Sequence, residues 1–366
     1  MLSLKPVPVS PPLAGYAQLP ELKRPWIDGY LTRFLRRIPH LRTVLDWRDC
    51  LGALAARFSF GRGHYRILPG LYALGEPDAT SPVLVTANYK LTVDLLRAAL
   101  SGLSAWLLVL DTRGVNVWCA AGKGSFGTVE LLAKLKQCAV ADLVSHRQLI
   151  LPQLGAPGVS APTVVQQAGW RIVWGPVRAA DLPRFLASGL NKTEAMATVN
   201  FDMADRLRVA PVEMVQSWPV LAAGLVLATV AAIFGRPDLA DRLNRFVRTF
   251  LAIGGIWASG TVLFPILLPW LPGLAFGVKA GCLGLAWGVA GGLLLGSGPW
   301  FGAALTLASG AVVSFLGMNL TGASTYTSQT GALLEVERST IPQAVSLLLA
   351  AGLSIVGLLV RRGAQL

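Results

Sequence analysis

From about residue 66 onward, short unbroken apolar runs alternate with stretches whose apolar residues recur every three or four positions. PVLVTAN (82–88), SAWLLVLDT (104–112), RQLILPQLG (147–155) and WRIVWGP (170–176) are continuous enough to be strands buried on both faces. RILPGLY (66–72) and ADLVS (141–145) are shorter runs of the same kind. LTVDLLRAALSG (91–102) and VELLAKLKQC (129–138) have a helical period, with APTVVQQAG (161–169) and DLPRFLASG (181–189) as short helices between strands. This βαβ alternation predicts a mostly parallel sheet covered by helices on both faces. Ligands of such sheets sit at the carboxyl ends of the strands. The candidate site therefore gathers Thr86, Asn88, Tyr89, the segment after Thr112, Ser145, His146, residues 153–158 and Gly175–Pro176.

Residues 1–60 read as a Pro-rich lead followed by a helix. The stretch YLTRFLRRIPHLRTVLDW (30–47) is basic on one side and apolar on the other. It predicts a helix packed on the domain or laid on a membrane surface.

Beyond residue 215 the alternation stops. Five apolar stretches, near 218–235, 249–271, 274–295, 300–318 and 342–360, approach or exceed the ~20 helical residues that cross ~30 Å of hydrocarbon. Gly277, Gly281, Gly284, Gly288, Gly291 and Gly292 recur at spacings that let helices approach closely in lipid. Lys279 is expected to snorkel. No other span holds an ionisable residue, which favours an anchor over an ion path. The connections are an arginine-rich loop at 236–248 and a polar stretch at 319–340.

Composition adds a boundary. The chain is 53% hydrophobic and only 14% charged, against roughly 25% charged for a soluble globule, so disorder and a wholly soluble protein are both excluded. Residues 1–215 carry 24 Lys and Arg against 15 Asp and Glu, whereas residues 216–366 carry 8 against 4. The reading is an N-terminal segment (1–60), a basic α/β domain (61–210) and a membrane domain (216–366). The start of the chain is broken by prolines and shows no continuous apolar leader. The first domain is therefore expected in the cytoplasm and the protein in the inner, cytoplasmic membrane. With five spans, residues 236–248 and the terminal Arg361 and Arg362 would then lie outside, against the positive-inside rule. Cys50, Cys119, Cys138 and Cys282 form no CxxC or Cys/His metal spacing and read as reduced thiols.

The chemistry concentrates in Arg113–Thr128. A phosphate-binding P-loop fails twice, because Val117 stands where the first glycine belongs and Gly124 follows Lys123. Gly122, Gly124 and Gly127 have GxGxxG spacing, with Asp142 twenty residues past the first. The predicted strand, however, ends ten residues too early. The third candidate is Cys119, flanked by Trp118 and two alanines and close to Lys123. A thiolate is a nucleophile and a soft metal ligand, and a lone cysteine is also a common small core residue.

The run Asn116-Val117-Trp118-Cys119-Ala120-Ala121-Gly122-Lys123 resembles the signature of the HgcA family, the corrinoid proteins of microbial mercury methylation. That signature reads Asn, Val or Ile, Trp, Cys, Ala, Ala or Gly, Gly, Lys, and all eight positions agree. Residues 60–205 are more loosely similar to the corrinoid domain of the large subunit of the corrinoid iron–sulfur protein, through PVLVTANYKLT, RQLILPQLGAPGV and RIVWGPVRAADLPRFL. The resemblance implies a Rossmann-like α/β corrinoid-binding domain followed by an all-α transmembrane domain of five helices. It implies a cobalt corrinoid whose lower axial ligand is the Cys119 thiolate, carried on a cap helix, and transfer of a methyl group from cobalt to Hg(II).

The remaining roles follow from that resemblance. Asn116 would pin the helix carrying Cys119 or serve as a plain turn residue. Val117, Ala120, Gly122 and Gly124 would lie against the corrin, Trp118 would pack on its face or fill core, and Lys123 would meet the thiolate or a cofactor group or stay solvated. Thr86, Asn88, Gln153, Gly155, Ala156 and Gly158 would bind the corrin's amide side chains. His146 is expected to be a satisfied loop histidine. The implied partners are HgcB, a small ferredoxin-like electron donor and mercury carrier, and a methyl donor of the methyltetrahydrofolate pathway. The alternatives are a corrinoid methyl carrier for another acceptor and a membrane transporter with a soluble regulatory domain.

Overall fold

The computed structural model describes residues 24–33, 36–234, 238–321 and 329–363; the Pro-rich lead over residues 1–23 lies outside them. The chain divides into two compact units. One runs up to Ala56 and includes Phe60–Val199, and the other holds Arg57–Ser59 and the chain from Asn200 onward.

The first unit is built on a seven-stranded sheet. In chain order its strands are β1 (Ile27–Arg33), β2 (Arg36–Leu41), β3 (Gly70–Leu74), β4 (Val83–Ala87), β5 (Ala105–Leu110), β6 (Gln148–Pro152) and β7 (Arg171–Gly175). They lie side by side as β1-β2-β3-β5-β4-β6-β7. The four strands β5-β4-β6-β7 are parallel. At the other end β3 runs antiparallel to β5 and β1 antiparallel to β2, with a single parallel pair, His40 with Ala73, joining β2 to β3. The helices are α1 (Trp47–Arg57), α2 (Lys90–Ala99), α3 (Val117–Gly122), α4 (Thr128–Gln137), α5 (Ala161–Ala168), α6 (Leu182–Ala187) and α7 (Glu194–Ala197).

The alternation of side chains along buried strands makes two cores. Val83, Val85, Trp106, Leu108, Leu149 and Leu151 face one way with Leu131 and Leu135 of α4. Leu84, Leu107, Val109 and Ile150 face the other way with Val93 and Leu96 of α2 and Phe185 of α6. Both faces are thus covered, which is why these strands read as unbroken apolar runs.

Two expected elements are different. The helix at 30–47 is the hairpin β1–β2, and the helix begins only at Trp47. The apolar spacing fits a helix, but pairing with the sheet prevails over local period. ADLVS is no strand either: Val140–Asp142 is a single 3₁₀ turn leading into a loop.

The second unit is helical: α8 (Met203–Gln216), α9 (Trp218–Ile233), α10 (Leu239–Ala258), a π-turn (Ser259–Leu263), α11 (Phe264–Leu267), α12 (Phe276–Leu294), α13 (Gly298–Thr321) and α14 (Gln329–Gly363). Among the described residues four segments, Leu239–Leu267, Phe276–Leu294, Gly298–Leu320 and Gly331–Val360, are long and apolar enough to cross a membrane. A fifth is reached only if α8 and α9, bent by 48° where they meet, count as one broken span. The small residues of α12 work as expected, since a Cβ on Gly284 would collide with the Ser309 carbonyl and one on Gly288 with the Thr306 backbone.

The connections are corrected. Residues 239–248 already belong to α10, where Arg245 pairs with Asp241 at 2.8 Å and Arg248 donates to the Gly296 carbonyl at 2.7 Å. The polar stretch becomes helix from Gln329, so α14 carries Glu335, Glu337 and Arg338 as well as its apolar half. The Lys279 ammonium donates to the carbonyls of Leu268 and Leu271, in the connection before α12, at 3.0 and 2.6 Å.

Candidate functional site

At the carboxyl ends of β4, β6 and β7 the sheet opens into an apolar cleft of about 200 Å³. Thr86 contributes from β4, Pro152 and Leu154 from the end of β6, Gly175, Pro176 and Val177 from the end of β7, and Leu182 from α6. Asn116, Val117 and Trp118 close one side. These last three residues begin α3, the helix that carries Cys119.

The start of α3 is fixed by its own sequence. Asn116 is the N-cap, and its Oδ1 accepts from the Cys119 amide at 2.9 Å. Val117, Ala120 and Ala121 are buried against the sheet core, which leaves Trp118 and Cys119 half exposed and Gly122 and Lys123 exposed. Cys119 stands beside the cleft-lining Trp118 but does not itself line the cleft. It lies inside a helix, not ahead of one, and Lys123 caps that helix's C-terminal end, its amide donating to the Cys119 carbonyl at 3.1 Å. The GxGxxG spacing is a turn from α3 into α4, with Gly124 at φ +78° and Gly127 as N-cap of α4. No strand precedes it, so the dinucleotide fingerprint is excluded on geometry.

Asn88 has another task than the expected cofactor contact. It is fully buried. Its Oδ1 accepts from the Thr112 amide (3.2 Å), the Thr112 hydroxyl (2.9 Å) and the Gly114 amide (2.9 Å), and its Nδ2 donates to Asp111 (3.1 Å). Asn88 therefore holds the turn that delivers the chain from β5 to α3. Asp111 is held in turn, its amide donating to Glu130 of α4 at 2.8 Å.

The loop after β6 is a 3₁₀ segment, Gln153–Gly158, packed under α3. A Cβ on Gly155 would lie 2.5 Å from the Phe126 ring, and one on Gly158 would collide with the Phe126 carbonyl. These glycines admit the chain's own α3–α4 turn, and Ala156 between them is half-buried. Gln153 accepts from Lys192, which also donates to the Trp174 carbonyl at 3.0 Å. Burial pushes the Lys192 ammonium below its usual range. Sequence reasoning missed Lys192, which lies in a polar stretch with no motif around it.

Ser145 and His146 lie away from the cleft, because they precede β6 and so sit at its amino end. His146 Nε2 donates to the Ser81 carbonyl (3.0 Å), its Nδ1 accepts from the Gln148 amide (3.3 Å), and Ser145 binds the Ala79 carbonyl. Among the thiols, Cys138 is fully buried, and burial pushes it up to about 12. Cys50 is exposed and Cys282 half-buried.

Sequence reasoning also missed a buried charge cluster. Asp49 of α1 pairs with Lys90 at 2.7 Å and Arg97 at 2.6 Å, and Asp94 pairs with the same two cations at 2.7 and 2.9 Å. Burial alone would raise the Asp49 carboxyl, but hydrogen bonds from Lys90 and Arg97 outweigh it and bring it to about 2. The cluster ties α1 to α2, and none of its four residues lines the cleft.

Residues 62–186 match the family described as the CO dehydrogenase/acetyl-CoA synthase delta subunit. The chain is 32% identical over 148 residues to the acetyl-CoA decarbonylase/synthase complex subunit gamma of Methanopyrus kandleri, covering 40% of this chain and 30% of that protein. Against the corrinoid/iron–sulfur protein large subunit of Moorella thermoacetica it is 27% identical over 153 residues, covering 41% of this chain and 32% of that one. The chain thus spans about a third of the length of these relatives, and the family match lies within the α/β unit.

Proposed function

We propose that this chain is a membrane-anchored, corrinoid-dependent methyltransferase that passes a methyl group to Hg(II), giving methylmercury, with the Cys119 thiolate as lower axial ligand of cobalt. The observation that carries this reading is the placement of Cys119: third in a short helix whose start is locked by Asn116, half exposed, and next to Trp118 on the wall of a strand-end cleft. Similarity to the corrinoid/iron–sulfur protein large subunit supports the cofactor class.

The donor set fits such a cofactor. Among the described residues no three His, Cys, Asp or Glu side chains gather as they would for a bare ion. A metal served by Cys119 must therefore bring its other ligands with it, as a macrocycle does. A cleft of about 200 Å³ is smaller than ordinary small-molecule sites, so a corrinoid would be held at its open rim rather than enclosed. Thr86, Asn116, Val117 and Trp118 line that cleft and would hold the corrinoid.

When bound, a corrinoid supplies a cobalt centre that takes up a methyl group from a donor and releases it to an acceptor. Cys119 contributes a soft, electron-donating sulfur, which favours departure of the methyl group with its electron pair, as the soft electrophile Hg(II) requires. Asn116 fixes the backbone at Cys119, while Val117, Ala120 and Ala121 seat the helix on the sheet, so the thiol is carried on a fixed helix. The sequence holds no iron–sulfur motif, so electrons are assigned to a ferredoxin-like partner of the HgcB type, which also suits mercury delivery. The methyl donor is assigned to the methyltetrahydrofolate pathway, and the location to the cytoplasmic membrane.

Full-length protein purified from cells supplied with corrinoid should carry about one cobalt per chain, and those cells should make methylmercury. Protein that is folded, well supplied and free of cobalt would overturn the reading. Similarity to acetyl-CoA decarbonylase/synthase subunits favours one second reading, a methyl carrier for a different acceptor. That reading predicts bound cobalt without methylmercury.

A further inference from the structure

Helix α1 presents two unlike faces. Its inner face is fastened to the first unit, with Asp49 and Ala56 buried and Asp49 paired to Lys90 and Arg97. Its outer face carries Trp47, Leu51 and Leu54, which are 69%, 56% and 51% exposed. These three positions fall on one stripe of a helix. Val44 before the helix and Phe60 after it are exposed as well, at 66% and 68%. Single exposed apolar side chains are ordinary, whereas a contiguous strip marks an interaction surface.

The charges beside the strip are cationic. At about 100° per residue, Arg48 and Arg57 fall on opposite sides of the Trp47–Leu51–Leu54 line. The Arg48 guanidinium lies 5.3 Å from the Trp47 ring centre. The nearby acids are occupied on the inner side or by other arginines: Asp49 is buried, and Asp46 binds Arg42 at 2.8 Å. Tryptophan and leucine along one face, flanked by arginine on both sides, is the pattern of a helix that lies in a bilayer interface. The arginines attract anionic headgroups. The same chain carries four helices long and apolar enough to cross a membrane, so a lipid surface is always tethered to α1.

We infer that α1 docks on an anionic lipid bilayer through the strip Val44, Trp47, Leu51, Leu54 and Phe60, flanked by Arg48 and Arg57. The inference rests on the second unit spanning a membrane and is independent of the cofactor reading. It gives the unit that carries Cys119 a second membrane contact besides the chain connection.

The test uses the full chain in lipid nanodiscs. A nitroxide label is placed at Leu54→Cys in a background of Cys50→Ser, Cys119→Ser and Cys282→Ser, Cys138 being fully buried. In nanodiscs containing phosphatidylglycerol, the label should lose most of its accessibility to a water-soluble nickel chelate and gain accessibility to oxygen. The shift should be smaller in phosphatidylcholine alone and lost when Arg48→Glu and Arg57→Glu are added. The same label at Val129→Cys, a site 82% exposed on α4, should stay aqueous in every lipid. Leu51→Cys repeats the measurement should the first variant fold poorly. A label at both strip positions as aqueous as at 129 would overturn the inference. Shielding from both reagents regardless of lipid would also overturn it, by showing that a protein surface covers the strip.

Discussion

Two asparagines show what a residue's local and distant surroundings each reveal. Asn116 is legible as a helix cap because capping is local: the residue it serves, Cys119, is three positions away. Asn88 is not legible, because its partners lie 23 to 26 residues further on and meet it only when β4 and β5 pair side by side. Its position at a strand end suggests a ligand contact, and folding uses its amide inside the chain instead. The small size of Gly155 and Gly158 likewise serves distant neighbours, Phe126 and Ala121. Asn116→Ala should therefore cost about 1 kcal/mol and Asn116→Asp much less. Asn88→Ala should cost about 1–3 kcal/mol, because it strands buried donors of Thr112 and Gly114. Thermal unfolding of the full chain measures both. An Asn88→Ala protein as stable as the parent would remove Asn88 from its place as the support of the turn into α3.

Elements were most readable where burial is two-sided. The core strands β4, β5, β6 and β7 lie within the predicted runs, because a strand covered on both faces has no polar side to confuse the pattern. The edge hairpin β1–β2 is the opposite case, since its exposed arginines and apolar residues happen to repeat at helical spacing while only pairing with β3 makes it a strand. In the second unit, apolar windows locate helices but not their ends, because α10 and α14 begin in polar sequence. The α1–α2 connection carries its own prediction. Asp49 sits near 2 in the fold, below its ordinary value of 3.8. Its contribution to stability is thus fully present above about pH 4 and is lost as pH falls through the folded value. The denaturant midpoint of the full chain should drop over that window, and Asp49→Asn should lower it at neutral pH while flattening part of the acid slope. An unchanged slope in the variant would show that other carboxylates govern acid stability.

For the whole molecule, helix ends change the membrane topology that composition suggests. Helix α9 has 16 residues and rises ~24 Å, short of the ~30 Å of a hydrocarbon core. Counting α10 with α11, α12, α13 and α14 as the four spans puts the start of α10, with Arg242, Arg245 and Arg248, on the same side as the C-terminus, with Arg361 and Arg362. That arrangement satisfies the positive-inside rule, which five spans violate. Reporter domains fused before α10 and at the C-terminus should both report the cytoplasmic side, and both reporting the outer side would establish the five-span arrangement. Glu335, Glu337 and Arg338 then lie toward the far side at the start of α14, so the anchor reading no longer rests on an absence of charge from the last span.

The claim on which the function turns is ligation by Cys119, and the visible spectrum of cobalt in the purified full-length protein tests it most directly. Cys119→Ala removes the sulfur at a half-exposed position, so the protein should fold and keep its cobalt. Its spectrum should change to that of a corrinoid without a protein lower ligand, and methylmercury formation should cease. Cys119→Ser should behave alike, because a hydroxyl is a harder and far weaker donor. Cys50→Ala and Cys138→Ala should leave the spectrum unshifted, the second despite removing a fully buried side chain. A Cys119→Ala protein with the parent's cobalt spectrum and undiminished methylmercury formation would contradict the proposed ligation.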